Sequence, residues 1–112
     1  MSQNYVLQSG ASNDDLVVDY FFTDIKANDD RKDEKYVRGA IDKYGWEEVL
    51  ATMITLKEDQ GAVINTFKYV ETALERRHSY YMEKKDDFEW MANQRMERIR
   101  DAWVRNMIDG SN

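Results

Sequence analysis

Apolar residues in this chain recur at helical spacing and almost nowhere in alternation. In DDLVVDYFFTDIKAN, Val17, Phe21 and Ile25 stand four residues apart with Tyr20 beside them, which predicts one apolar helix face. Ser12 or Asn13 can cap its start, and Asp14 and Asp15 suit its positive end. Tyr36, Val37, Ala40, Ile41 and Tyr44 predict a second helix, which Gly45 can end in a left-handed conformation. Trp46, Val49, Leu50, Met53 and Ile54 form a third stripe immediately afterwards. So short a join predicts an αα-hairpin or helix-turn-helix corner. The second of those helices is acidic at Glu47, Glu48, Glu58 and Asp59, so it is read as core rather than as a helix that meets phosphates.

Gly61 marks the next turn, and Asn65 or Thr66 can cap the last helical region. From there to Gly110 no residue breaks a helix. Val70, Leu74, Tyr81, Phe88, Ala92, Met96, Ile99 and Trp103 fall in one sector at about 100° per residue, as a buried seam requires. Residues 66–108 are expected either as one helix of roughly 65 Å or as two segments bent within 78–87, where the apolar pattern thins to Tyr81. The seven-residue steps also allow a coiled coil with a second copy, so a homo-oligomer is expected. The chain contains no proline, which leaves long helices unopposed. The expected fold is all-α, with about four helices and a long C-terminal helix or helical arm. Residues 1–12 are read as a loose tail and residues 13–112 as one helical domain.

Charge changes this picture in one place. The net charge of -6 over 112 residues argues against indiscriminate nucleic-acid binding. Yet residues 1–74 carry 14 acids and 8 bases, whereas residues 75–112 carry 8 of each. Projected from Tyr69, the residues Arg76, Arg77, Tyr80, Lys84, Arg95, Arg98 and Arg105 lie within about 100° of arc. Glu75, Glu83, Asp86, Glu97 and Asp101 crowd an adjacent flank. Cations that contact phosphates release counterions, and Tyr faces beside them can stack unpaired bases. The candidate nucleic-acid-binding residues are Lys68, Tyr69, Arg76, Arg77, Tyr80, Lys84, Arg95 and Arg98, facing single- or double-stranded DNA. The plainer reading is a solvated helix side held by local Glu–Arg pairs. Trp90, Val104 and Ile108 fall on the acidic flank, away from the seam. With Trp103 they form the candidate partner or oligomer interface.

Other chemistry is sparse. The chain has no cysteine, hence no disulfide and no thiolate ligand. The acids of ANDDRKDEK lack the glycine of a calcium loop and are read as a solvated connection. No phosphate-binding glycine loop, nucleophile elbow or zinc spacing occurs. The single histidine, His78, borders the seam and is read as packed. No catalytic residue, metal or cofactor is expected. No apolar run suits a membrane span, and the N-terminus lacks a signal-peptide pattern, so a cytoplasmic location is expected.

Three elements carry a family resemblance: KYG at the end of one helix, the amphipathic WEEVLATMITL after it, and the F-x-Y-V-x-x-x-L of FKYVETAL. Over residues 34–77 they resemble the C-terminal domain of DnaD-like primosomal proteins, the replication organisers of Gram-positive bacteria and their phages. The family's DNA-binding motif is Tyr, an aliphatic residue four on, and Trp four further. Here Tyr69 matches, while Ala73 and Arg77 depart from the pattern. The resemblance implies a non-catalytic, phage-borne replication adaptor without the usual winged-helix module. It would self-associate, dock to a helicase or initiator, and bind nucleic acid weakly. Two readings compete. One is a small acidic inhibitor using the Asp14–Glu48 region, with 11 acids and 6 bases, to block a host nucleic-acid enzyme. The other is a purely structural oligomerising protein.

Overall fold

The computed structural model describes residues 11–26 and 30–110. It is all-α: five helices and no strand among the described residues, with one isolated parallel bridge between Lys26 and Ile64. The sequence expectation of an N-terminal tail falls mostly on residues outside those described.

Helix α1 (Asn13–Tyr20) is capped by Ser12, whose Oγ accepts from the Asp15 N–H at 3.1 Å. Phe21–Ile25 continues it as a wider π-type turn, closed by the Lys26 N–H on the Phe21 carbonyl at 2.8 Å. The sequence stripe marked one face, but Leu16, Val18 and Phe22 are buried as well. A helix apolar on nearly all sides belongs inside the fold.

Helix α2 (Glu34–Tyr44) buries Val37, Ala40 and Ile41 and half-buries Tyr44, while Tyr36, expected in its stripe, is exposed. Gly45 joins α2 to α3 (Trp46–Ile54) alone, at φ 91° and ψ 150°, a conformation that glycine adopts without the clash a Cβ brings. Every residue of α3 from Glu48 to Ile54 is buried, because α1, α2, α4 and α5 all pack on it. A helix enclosed in this way cannot enter a DNA groove, which disposes of the helix-turn-helix alternative. Thr55–Asp59 widens the end of α3, and Gly61 at φ 64° turns the chain.

Helix α4 (Phe67–Glu83) begins with a cap that local sequence did not suggest. Neither Asn65 nor Thr66 supplies it. The Phe67 N–H donates to Asp33 Oδ2 at 2.8 Å, across 34 residues. The charged connection before α2 is therefore partly structural. Arg31 from the same stretch pairs with Asp19 at 3.3 Å and Glu34 at 3.1 Å, tying it to α1 and α2.

The long C-terminal helix is divided at Lys84, within the range where the pattern thins. Lys84 has φ -111° and ψ 29°, and its N–H is shared by the Tyr80 and Tyr81 carbonyls at 3.1 Å each. Helix α5 (Lys85–Gly110) follows, with Asp86 and Asp87 at its positive end. Aromatic rings brace the corner. Tyr81 stacks on Phe88 at 5.5 Å, and Tyr80 meets the same ring edge-on at 5.7 Å. The seam survives the bend: Val70, Leu74, Tyr81, Ala92 and Met96 are buried, and Phe88, Ile99 and Trp103 pack against them. Helix α5 lies across α3 and α1. Its Arg100 donates to the Ala11 carbonyl at 3.1 Å and to Asn13 Oδ1 at 2.6 Å, pinning the start of α1.

Candidate nucleic-acid interface

The seam of α4 faces the core, so its remaining residues must meet solvent or ligand. Lys68, Tyr69, Thr72, Ala73, Arg76 and Arg77 line a groove of about 510 Å³ on that outer side, together with Thr66. Its other wall is Leu56 and Gln60, from the widened end of α3 and the turn after it. Four of the eight sequence candidates therefore meet in one concavity. Tyr69 is 47 % exposed there. The Arg77 guanidinium lies 5.7 Å from the centroid of the Tyr80 ring, so Tyr80 flanks the groove through Arg77.

Among the described residues the α4 cations are unpaired, as are Arg98 and Arg105 on α5. Among the described residues, no carboxylate forms an ion pair with Lys68, Arg76, Arg77 or Lys84. Arg38 instead joins Asp15 at 3.0 Å and Glu34 at 3.2 Å. Lys68, Arg76 and Lys84 are exposed to solvent.

The remaining candidates separate from the groove. Lys84 sits at the corner, in a depression shared with Met82, Lys85 and the acids Glu83, Asp86 and Asp87. Arg98 is exposed on α5. Arg95 is committed inside the fold: it grips both Glu58 oxygens at 2.6 and 2.8 Å and donates to the Tyr20 hydroxyl at 2.7 Å. Its side chain is only 20 % exposed. These bonds hold the Glu58 carboxyl below its ordinary range and raise Arg95 above its own. The continuous Tyr69–Arg105 stripe read from the helical wheel therefore does not form. Arg95→Ala is expected to cost about 2 kcal/mol in urea denaturation, because the buried Tyr20 hydroxyl loses its partner. Oligonucleotide binding by the same variant is expected to match the wild type.

Part of the acidic region is engaged within the fold. Asp15, Asp19 and Glu34 pair with Arg38 and Arg31, Asp33 caps α4, and Glu48 is buried. Hydrogen bonds from Arg38 lower Asp15, and those from Arg31 and Arg38 lower Glu34. These five acids are turned on neighbouring helices, whereas a nucleic-acid mimic would direct its acids outward along one face.

His78 is half-exposed rather than packed in the seam. Its Nδ1 lies 2.8 and 3.1 Å from the two oxygens of Glu48, which is 2 % exposed. With Glu48 ionised, His78 donates the proton. Burial pushes the Glu48 carboxyl up, more than His78 pulls it down. A carboxylate-oriented imidazole is part of a catalytic arrangement, yet no serine or threonine hydroxyl bonds to the ring among the described residues. Nor do the described residues hold a group of three His, Asp or Glu suited to a metal.

Of the interface candidates, Trp90, Val104 and Ile108 are exposed on α5, and Met107, which the sequence reading passed over, is exposed with them. Trp103 differs: it is half-buried against the core, in a groove shared with Leu16 and Tyr20. The far wall of the α4 groove, Leu56 and Gln60, also escaped the sequence reading. Comparison with protein-family models, with curated proteins and with solved structures finds no match. No helix among the described residues is long and apolar enough to cross a membrane.

Proposed function

We propose that this protein is a non-catalytic adaptor in DNA replication, acting in the cytoplasm, that binds nucleic acid through the α4 groove and also engages a replication protein or itself. The observation that carries this reading is the set of cations around an exposed tyrosine, Lys68, Arg76 and Arg77 around Tyr69, which the fold leaves without carboxylate partners. Phosphates would meet the three cations, and an unstacked base would meet the Tyr69 ring. The DnaD-like resemblance supplies the replication setting. Its Phe67, Val70 and Leu74 are core residues, whereas the three positions of its DNA-binding motif, Tyr69, Ala73 and Arg77, all line the groove.

The test is fluorescence anisotropy with labelled single- and double-stranded oligonucleotides, comparing wild type with Lys68→Ala/Arg76→Ala/Arg77→Ala. Each lost phosphate contact is expected to lower the slope of log affinity against log salt by about 0.7 on single strands and about 0.9 on duplex. Unchanged affinity and slope in a folded variant would remove the groove from nucleic-acid binding.

A further inference from the structure

We infer that the outer face of α5 in one molecule docks into the α4 groove of a second copy of this chain. Trp90 is 68 % exposed, on a helix whose opposite side is packed against α1 and α3. Glu97 and Asp101 share its face, the three falling within about 40° of arc. Neither acid has a basic partner among the described residues. The α5 face therefore offers an uncovered aromatic ring followed by unpaired negative charge.

The α4 groove offers the complement. Ala73 and the Tyr69 ring supply apolar surface above the buried Leu56, and Arg76 supplies unpaired positive charge. The spacing also agrees. Trp90 and Glu97 are seven residues apart, as are Tyr69 and Arg76. Each pair is separated by about 10 Å along its helix. With the two helices side by side and parallel, an indole placed at Tyr69 brings Glu97 to Arg76. Symmetric pairing of two α5 faces is disfavoured, since it sets the acids of one copy against those of the other.

The two surfaces are different parts of one chain, so two copies either exchange the contact reciprocally across a two-fold axis or pass it on head to tail into a ring or filament. It covers Arg76, so assembly and nucleic-acid binding exclude each other. That last consequence rests on the proposed function, whereas the association does not.

Sedimentation velocity on wild type, Trp90→Ala and Arg76→Glu tests the contact, with circular dichroism confirming that each is folded. Both substitutions are on exposed side chains. Wild type is expected to associate as concentration rises, and each variant alone is expected to lose association at least about tenfold. An equimolar mixture of the variants keeps one working aromatic face and one working groove, so it is expected to form a two-chain complex and stop there. A wild type that stays monomeric up to about 1 mM, a complex that persists in both variants, or variants that do not pair would each overturn the inference. Oligonucleotide binding by Trp90→Ala reports on the groove separately, so failure of the contact and failure of the nucleic-acid reading remain distinguishable.

Discussion

Replacement of His78 by alanine is expected to destabilise the protein by about 3 kcal/mol at pH 8, because it strips the partner from a buried carboxylate. Glu48 is among the most enclosed polar residues in the molecule, on a helix that four others cover. Its carboxyl titrates above its usual value of 4.5, owing first to burial and in spite of the His78 hydrogen bond. A carboxyl whose folded value is raised binds its proton more tightly in the native state. Its contribution to stability is complete below 4.5 and is lost as pH rises through the raised value. Removing His78 deletes the contact that favours the charged form, so the loss with rising pH becomes steeper. Glu48→Gln keeps the shape and an oxygen acceptor for Nδ1–H without the charge. It is expected to stay within about 1 kcal/mol of wild type at pH 8. Thermal melts of the three proteins between pH 5 and pH 8 check this. A His78→Ala protein as stable as wild type at both ends would show that the pair contributes nothing.

Phe67→Ala is expected to cost about 3 to 5 kcal/mol in urea denaturation. Phe67 is fully buried, meets the Phe21 ring edge-on at 5.2 Å, and opens α4. Truncation leaves a cavity against α1 at the point where α4 starts. Its amide is also where the connection before α2 reaches α4, through Asp33 at 2.8 Å. Asp33→Ala is expected to cost about 1 kcal/mol, as an ordinary lost cap does, and Asp33→Asn to recover most of it. If Asp33→Ala matches wild type, water serves that N–H equally well.

Features set by neighbours in sequence were legible in it. Ser12 caps α1, Gly45 turns the chain between α2 and α3, and the apolar seam from Val70 to Trp103 faces inward. The bend at Lys84 had a quieter sign: the acids Asp86 and Asp87 suit the positive end of a new helix. No proline or glycine marks it, because φ -111° is open to any residue. Features set by distant partners were not legible. Arg95 looked like its neighbours on the helical wheel, and only Glu58, 37 residues earlier, and Tyr20, 75 residues earlier, take it out of the stripe. Leu56 and Gln60 reach the groove through the widened end of α3, which no spacing rule marks. The rest of the candidate site was visible as an unusual run of cations and tyrosines. That Asp15, Asp19 and Glu34 would pair with Arg31 and Arg38 required the packing of α1 on α2.

The Arg100 contacts with Ala11 and Asn13 span 89 and 87 residues. Helical proteins usually assemble from contacts close along the chain and fold fast on that account. Here α1 is sealed only when α5 arrives. During synthesis the apolar run from Leu16 to Ile25 therefore waits without its final cover until α5 has followed it out of the ribosome. The translating chain passes through an interval of aggregation risk set by elongation time.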